Sequence, residues 1–361
     1  MSLRALANSR LLGALRRASP RAARAAAITA FLVLGTQAGG GNTASQPASL
    51  LFWTRYEDAT ALGPPTQCSG RQCWQYFSGT DNSTGHTWRS AAREADGVER
   101  FQLFADVPVN ATSVSAYMVN RVESGTGRNG SRSLYSEIKR SGCCGADPQG
   151  WGATQDPYVL EPKGAQGDMY VSYWLKFQPN LQTLMGACGS NIDYQWRAVF
   201  EWKTAGDYRL MVQIQRDRDP KSCGFVGPLY WIVAGDNNGN CDLYAAAQKK
   251  KCPAASINLW SEKNRSAEVP VGQWFKLEVF WHRSSGDDGR AWLAIDGHVI
   301  VDHHGPNTGD WNAPINRIMT SQVYTSTGYP AFQWVDDLQI WQGFPTANPD
   351  DAWYDPPYAP H

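Results

Sequence analysis

What most constrains this chain is a succession of short runs in which apolar and polar side chains alternate, separated by clusters of Gly, Pro, Asn and Asp. The runs are SLYSEIKR (133–140), DMYVSYWLKF (168–177), WRAVFEWKT (196–204), YRLMVQIQ (208–215), LYWIVAGD (229–236), QWFKLEVFWHR (273–283), RAWLAIDGHVIVDH (290–303) and FQWVDDLQIW (332–341). Alternation with period two sends successive side chains to opposite faces of a strand, and helical spacing is sustained nowhere. Asp296-Gly297, set between two apolar runs, marks a tight hairpin because both residues tolerate positive φ. Many short antiparallel strands without intervening helices predict an all-β sandwich or barrel.

Within RAVFEWKT, an uninterrupted strand would turn Ala198, Phe200 and Trp202 to one face and Arg197, Val199, Glu201 and Lys203 to the other. That second face carries an ordered set of charges, as a binding surface would. The chain has 361 residues, 16 Trp and 15 Tyr with a formal net charge of zero. Such length suits one large domain or two small ones, and the absence of a charge excess argues against nucleic acid or an anionic membrane as partner. Trp and Tyr suit flat sugar faces, although most such rings are expected in the core.

No acidic residue precedes Glu57, and Arg4, Arg10, Arg16, Arg17, Arg21 and Arg24 lead into the apolar run AAAITAFLVLG, followed by the small-residue site TQA. Basic, apolar and small in that order predicts a secretory signal over residues 1–38, although an organelle transit peptide shares the Arg-rich, acid-free start. The apolar run is too short to span a bilayer. Eight cysteines, at 68, 73, 143, 144, 188, 223, 241 and 252, and sequons at Asn82, Asn110, Asn129 and Asn264 favour export and disulfides over a metal site. Cys68 with Cys73 and Cys241 with Cys252 are the easiest pairs to close, and Cys188 with Cys223 would then join two loops. A linker over 39–49, one sandwich over 50–345 and a Pro-rich tail over 346–361 complete the expected organisation.

The run VPVGQWFKLEVFWHRSSGDDGRAWLAIDGHVIVDH resembles the concanavalin-like jelly rolls of polysaccharide lyases and laminin-G-type domains, where a strand opening with Gly-x-Trp precedes a hairpin with a DG turn. WVDDLQIW resembles the final strand of that fold, which pairs with an N-terminal strand such as LLFWTRYED (50–58). The resemblance implies a jelly roll of two antiparallel sheets, a fold that hosts both enzymes and binding modules.

Three strands are similar to the site-bearing strands of alginate- and glucuronan-lyase-like jelly rolls. YSEIK resembles the Arg-x-Glu-x-Arg strand, with Glu137 matching, Lys139 basic and Tyr135 in place of the first Arg. FEWK stands where the Gln-x-His strand lies, with Glu201 for the Gln and Lys203 for the His. SQVYTSTG resembles the catalytic-Tyr strand, with Tyr324 at the Tyr position and Gln322 beside it. The resemblance implies a shared groove in which Tyr324, Lys203 and Glu201 act on substrate and Glu137, Lys139, Tyr135 and Gln322 bind it; the residue types add Arg197 to the first set and Gln213 and His282 to the second.

The chemistry of these residue types stands by itself. β-Elimination of a uronate polysaccharide neutralises the C5 carboxylate, removes the C5 proton and protonates the leaving oxygen. Arg197, Lys203 and Lys139 can meet the carboxylate, and a Tyr near cations can move the proton. His282 shares a period-two face with Lys276, Glu278 and Phe280, as a second proton carrier or as a strand-end residue bound to a carbonyl. Glu201 and Lys203 would equally serve as a cross-strand ion pair.

Two other readings stay open. Glu137 and Glu201 would form the carboxylate pair of a glycoside hydrolase, although the Glu-x-Asp-x-x-Glu strand of the laminarinase-like hydrolases is absent. A carbohydrate-binding module would use the same aromatics and charges without chemistry. No cofactor is required by the β-elimination reading, but Asp336, Asp337, Glu57 and Asp58 could hold a structural calcium where first and last strands meet. The expectation is a secreted monomer acting on an acidic polysaccharide.

Overall fold

The computed structural model describes residues 48–64, 66–69, 72–88, 100–106, 114–139, 158–159, 168–185, 194–204, 208–218, 225–236, 258–308, 315–320, 323–325 and 329–345. Within them the chain is almost wholly antiparallel β-structure, as the alternating runs require.

One sheet has eight strands. Across it run β18 (His298–His304), β17 (Arg290–Ile295), β16 (Trp274–His282), β11 (Met169–Phe177), β21 (Ala331–Gln342), β9 (Arg132–Ile138) and β8 (Met118–Ser124). The eighth, β1 (Ser49–Thr54), lies antiparallel to the last residues of β21, so first and last strands pair as expected. A second sheet orders β15 (Asn258–Asn264), β14 (Phe225–Asp236), β13 (Arg209–Arg218), β12 (Tyr194–Thr204) and β19 (Ile315–Met319), with β20 (Tyr324–Thr325) also paired to β12. A smaller sheet joins β2 (Ala61–Leu62), β3 (Thr66–Ser69), β4 (Gln72–Ser78), β7 (Arg100–Asp106) and β10 (Tyr158–Val159), and β5 (Thr80–Asp81) pairs with β6 (His86–Thr87). The one α-helix among the described residues is the single turn Leu181–Leu184.

The two large sheets share one core. Val171, Tyr173, Leu175 and Phe177 of β11 and Leu277, Val279 and Trp281 of β16 meet Phe200 and Trp202 of β12, Val212 of β13 and Trp231 of β14. Trp202, Trp231 and Trp281 are fully enclosed, and Trp202 and Trp281 meet across the interface with ring centroids 5.6 Å apart. Burial of such rings is the main stabilising contribution, on the order of 1.5–3 kcal/mol for each large apolar side chain. The hairpin forms as the DG signal demands, with φ of 50° at Asp296 and 80° at Gly297.

Cys68 and Cys73 lie in β3 and β4, which pair as a hairpin; the other six cysteines, and the residues assigned to signal, linker 39–47 and tail, fall outside the described residues. Asn82 and Asn129 are exposed. The Asn264 carboxamide is already engaged: its Nδ2 donates to Ile300 O at 2.6 Å and its Oδ1 accepts from the backbone of Ser266 and Ala267. Asn110 lies outside the described residues.

Candidate functional site

A β-bulge decides the faces of β12. Arg197 pairs with Ile214 and Ala198 with Gln213, but Phe200 pairs with Val212, so Val199 is an inserted residue. The insertion corrects the face expected for Arg197, because period two fails across it. Arg197 joins Phe200 and Trp202 on the inner side, and Ala198 joins Glu201 and Lys203 on the outer side. Fully buried, Arg197 donates from Nη2 to Gln333 Oε1 at 2.7 Å and to Phe332 O at 3.2 Å, and from Nη1 to Gln178 Oε1 at 3.4 Å. Its guanidinium lies over the Phe177 ring. Burial pulls its pKa down to about 9. A polymer on the sheet surface cannot reach it, so it does not hold a substrate carboxylate.

The outer side of the six-stranded sheet is a set of cross-strand rows, and residues opposite one another share a face. One row runs from Tyr324 through Ala198, Gln213 and Ile232 to Lys263. The next holds Met319, Glu201, Met211 and Ala234, and the one after it Lys203, Arg209 and Asp236. At its centre Arg209 donates to both oxygens of Asp236, at 2.9 and 3.0 Å, and its Nη1 lies 3.6 Å from Glu201 Oε1. Glu201 and Asp236 are both buried, so one guanidinium balances two carboxylates withdrawn from water. Lys203 Nζ stands 4.0 Å from Glu201 Oε2, beyond hydrogen-bonding distance, and is partly exposed. Partly open to solvent and next to Glu201, it is placed on this face to meet a further anion.

Further along, Gln215 Nε2 donates to Gln213 Oε1 at 3.1 Å. The Tyr230 hydroxyl lies 2.6 Å from Asp217 Oδ1 and 3.2 Å from Gln215 Oε1, and Arg265 covers its ring while pairing with Asp217. Burial, and then the hydrogen bond and charge of Asp217, raise the Tyr230 phenol well above its ordinary range. Tyr230 therefore donates a hydrogen bond and is not a base.

Arg209, Asp236, Gln215, Tyr230, Asp217 and Arg265 were not singled out by the sequence reading. The β13 run had the signal, with Arg209, Met211, Gln213, Gln215 and Asp217 alternating against Leu210, Val212 and Ile214. Asp236 and Arg265 reach the cluster only through neighbouring strands. Tyr324 is placed by its backbone, opposite Ala198. Its side chain, and Gln322 altogether, lie outside the described residues.

The third strand of the expected groove lies elsewhere. Leu134 of β9 enters the common core, so Tyr135 and Glu137 turn outward from the eight-stranded sheet, and Phe200 and Trp202 flank a Glu201 turned outward from the other. The core separates them. This corrects both the single groove built from Glu137, Lys139, Tyr135, Glu201 and Lys203 and the Glu137–Glu201 hydrolase pair. Lys139 follows β9 in solvent, its backbone N–H on Tyr117 O at 2.7 Å. His282 shares its outward face with Lys276, Glu278 and Phe280, as period two requires, but on the same eight-stranded sheet and away from Lys203. Its Nδ1 lies 2.5 Å from Asp168 Oδ1, which makes it a strand-end ion-pair residue.

The expected calcium ligands do not converge. Asp336 accepts from Arg128 N, Ser131 Oγ and Asp337 N at 3.0, 3.2 and 2.7 Å. Asp337 takes the Trp53 indole N–H at 2.7 Å, Glu57 takes Arg132 N at 3.0 Å, and the Asp58 carbonyl takes an Arg132 guanidinium N–H. With φ of 49°, Asp337 sits where β21 slips register against β11. Among the described residues no three His, Cys, Asp or Glu side chains gather to hold a metal ion. The Asp336, Asp337 and Glu57 carboxylates serve protein donors, and the four residues do not fit a calcium site.

No family model matches the chain and no curated protein matches its sequence. Among solved structures it is similar to alginate lyase AlyC3, at 11% identity and a TM-score of 0.39 over 79% of this chain and 90% of that one. It is likewise similar to an endo-β-1,4-glucuronan lyase from the fungus Trichoderma reesei, at 13% identity and 0.38 over 62% and 86%. A marine PL-14 alginate lyase from Aplysia kurodai aligns at 10% and 0.38 over 62% and 87%.

Proposed function

We propose that this chain is a secreted carbohydrate-active enzyme that cleaves a uronate-containing polysaccharide by β-elimination on the outward face of the six-stranded sheet. One observation carries the reading: the pairing of Ala198 with Tyr324 sets the Tyr324 backbone in the same row as Gln213, one row from Glu201 and two from Lys203. Two of the three strands singled out by the resemblance to lyase jelly rolls lie side by side, which supports this reading.

In this reading Lys203 meets the C5 carboxylate and lowers the cost of the carbanion-like transition state. Tyr324, as its phenolate, takes the C5 proton, the C4–O bond breaks as the C4–C5 double bond forms, and the phenol so formed returns that proton to the leaving oxygen. Gln213 and Gln215 hydrogen-bond sugar hydroxyls. Glu201 and Asp236 fix Arg209, which leaves neither carboxylate free to act as a hydrolase acid or base. The basic and apolar N-terminal order and the eight cysteines support export.

The test is incubation with a panel of uronate and neutral glycans, read by ultraviolet absorbance of unsaturated uronate ends and by reducing ends. Both should rise with wild type on a uronate polymer, and Tyr324→Phe and Lys203→Met should abolish both without loss of folding. Reducing ends without unsaturation would show a hydrolase, and retention on a glycan with neither signal a binding module.

A further inference from the structure

The outward face of the eight-stranded sheet carries a second ordered row, made by register across five strands. Trp274 of β16 pairs with Lys176 of β11, Lys176 with Trp334 of β21, Trp334 with Tyr135 of β9, and Tyr135 with Arg121 of β8. At the usual strand spacing the row runs about 19 Å. Cations and rings are in contact along it. Lys176 Nζ lies 5.2 Å from the centroid of Trp334, and the Arg121 guanidinium 4.3 Å from that of Tyr135. One row away, Arg128 sits 3.9 Å over Trp174.

A ring holds a cation in place without cancelling its charge, whereas a carboxylate holds and cancels it. On the six-stranded face, Arg209 and Arg265 are spent on Asp236, Glu201 and Asp217. Here Lys176 and Arg128 are held by indoles and pair with no acidic side chain among the described residues. Arg121 shares Glu123 with the Trp334 indole N–H, and Lys139 is exposed just past the end of the strand that carries Tyr135. Four cations thus stand against Glu123 and Glu137, with Asp336 buried beneath. Except at Tyr135, which is buried, the row is partly open to solvent, Arg121 most of all.

We propose that this row is a second, non-catalytic binding surface for an acidic polysaccharide, which lies along the strand-crossing direction with its carboxylate or sulfate groups on Lys176, Arg128 and Arg121. An extended polyanion suits an extended line of fixed charges set on apolar rings better than a compact anion does. The surface is separate from the proposed cleavage face and does not depend on it.

The experiment measures binding of the full chain to polygalacturonate, dextran sulfate, neutral laminarin and phosphatidylserine vesicles at several salt concentrations. Wild type should bind at least one polyanion, more weakly as salt rises, and not laminarin; which polyanion binds separates carboxylate from sulfate recognition. Lys176→Glu/Arg128→Glu breaks no ion pair and should bind roughly tenfold more weakly, with near-ultraviolet circular dichroism and cleavage of short oligosaccharides unchanged. Should that double variant fail to fold, Lys176→Gln and Arg128→Gln are measured singly and should each weaken binding. Equal binding by folded variants and wild type, equal binding to laminarin, or binding to vesicles alone would each overturn the proposal. Loss of retention in Lys203→Met but not in the charge-reversed variant would place the polymer on the six-stranded face, which ends this inference and leaves the cleavage reading standing.

Discussion

Arg197 and Gln333 meet between the two sheets, 2.7 Å from guanidinium Nη2 to carboxamide Oε1, and no carboxylate joins them among the described residues. The same guanidinium reaches Phe332 O and Gln178 Oε1, while Gln178 also accepts from Phe332 N at 2.7 Å and donates to Pro330 O at 3.1 Å. A buried charge is here stabilised by carbonyl dipoles and the face of the Phe177 ring, and the network ties the start of β21 to the end of β11 and to β12.

The fork geometry of Arg197 should make it irreplaceable by lysine. Arg197→Lys keeps the buried charge but cannot serve all three oxygens, and a loss of about 2–4 kcal/mol is expected. Urea unfolding at constant m-value measures it. A variant within experimental error of wild type would mean that these hydrogen bonds contribute nothing net.

Arg209 balances Glu201 and Asp236. Arg209→Met should therefore cost about 3–5 kcal/mol, because it takes the guanidinium away from two enclosed carboxylates, with Lys203 still 4.0 Å from Glu201. Adding Asp236→Asn should recover part of the loss. If the double variant is no more stable than the sum of the single effects predicts, the two residues are not coupled as the distances imply.

His282 gives a pH dependence with a definite sign. Its hydrogen bond to Asp168 raises the imidazole pKa against the opposing effect of burial, with further help from the charges of Asp168 and Asp288. A raised folded-state pKa means that the stabilisation is full below the unfolded value near 6.5 and is lost as pH rises through the folded value. The melting temperature of wild type should exceed that of His282→Gln most at about pH 5.5, with the gap narrowing by about pH 9. A gap that widens with pH would refute the assignment.

Asp336 should act in the acidic to neutral range. Burial raises its pKa to about 7, despite donors from Arg128, Ser131 and Asp337 that act the other way. Since the fold holds this proton more tightly than the unfolded chain, its contribution is most favourable below the unfolded value near 4 and declines until pH passes about 7. Asp336→Asn removes that titration. The stability of the variant minus that of wild type should rise between about pH 4 and 7 and then level off, as urea melts across pH would show.

Period two located the strands of the long alternating runs, though not β4, β7, β8, β15 or β19, and it placed Lys276, Glu278, Phe280 and His282 on one face, because β16 pairs on both sides without a bulge. The DG turn and the pairing of the first strand with the last were equally legible. Local pattern could not reveal the extra residue at Val199, since a bulge depends on the register that β13 and β20 impose from either side. That single insertion took Arg197 off the surface and put Ala198 there.

Nor could the sequence say which sheet each strand enters. Glu137 and Glu201 have similar neighbours along the chain, yet the fold sends them outward from different sheets with the core between. What the sequence by itself determined is which residues alternate, where the chain turns and that the protein is all-β, for these follow from backbone geometry and turn chemistry over a few residues. Only tertiary structure decided which charges share a face and which are neutralised, because that depends on contacts between strands far apart in the chain.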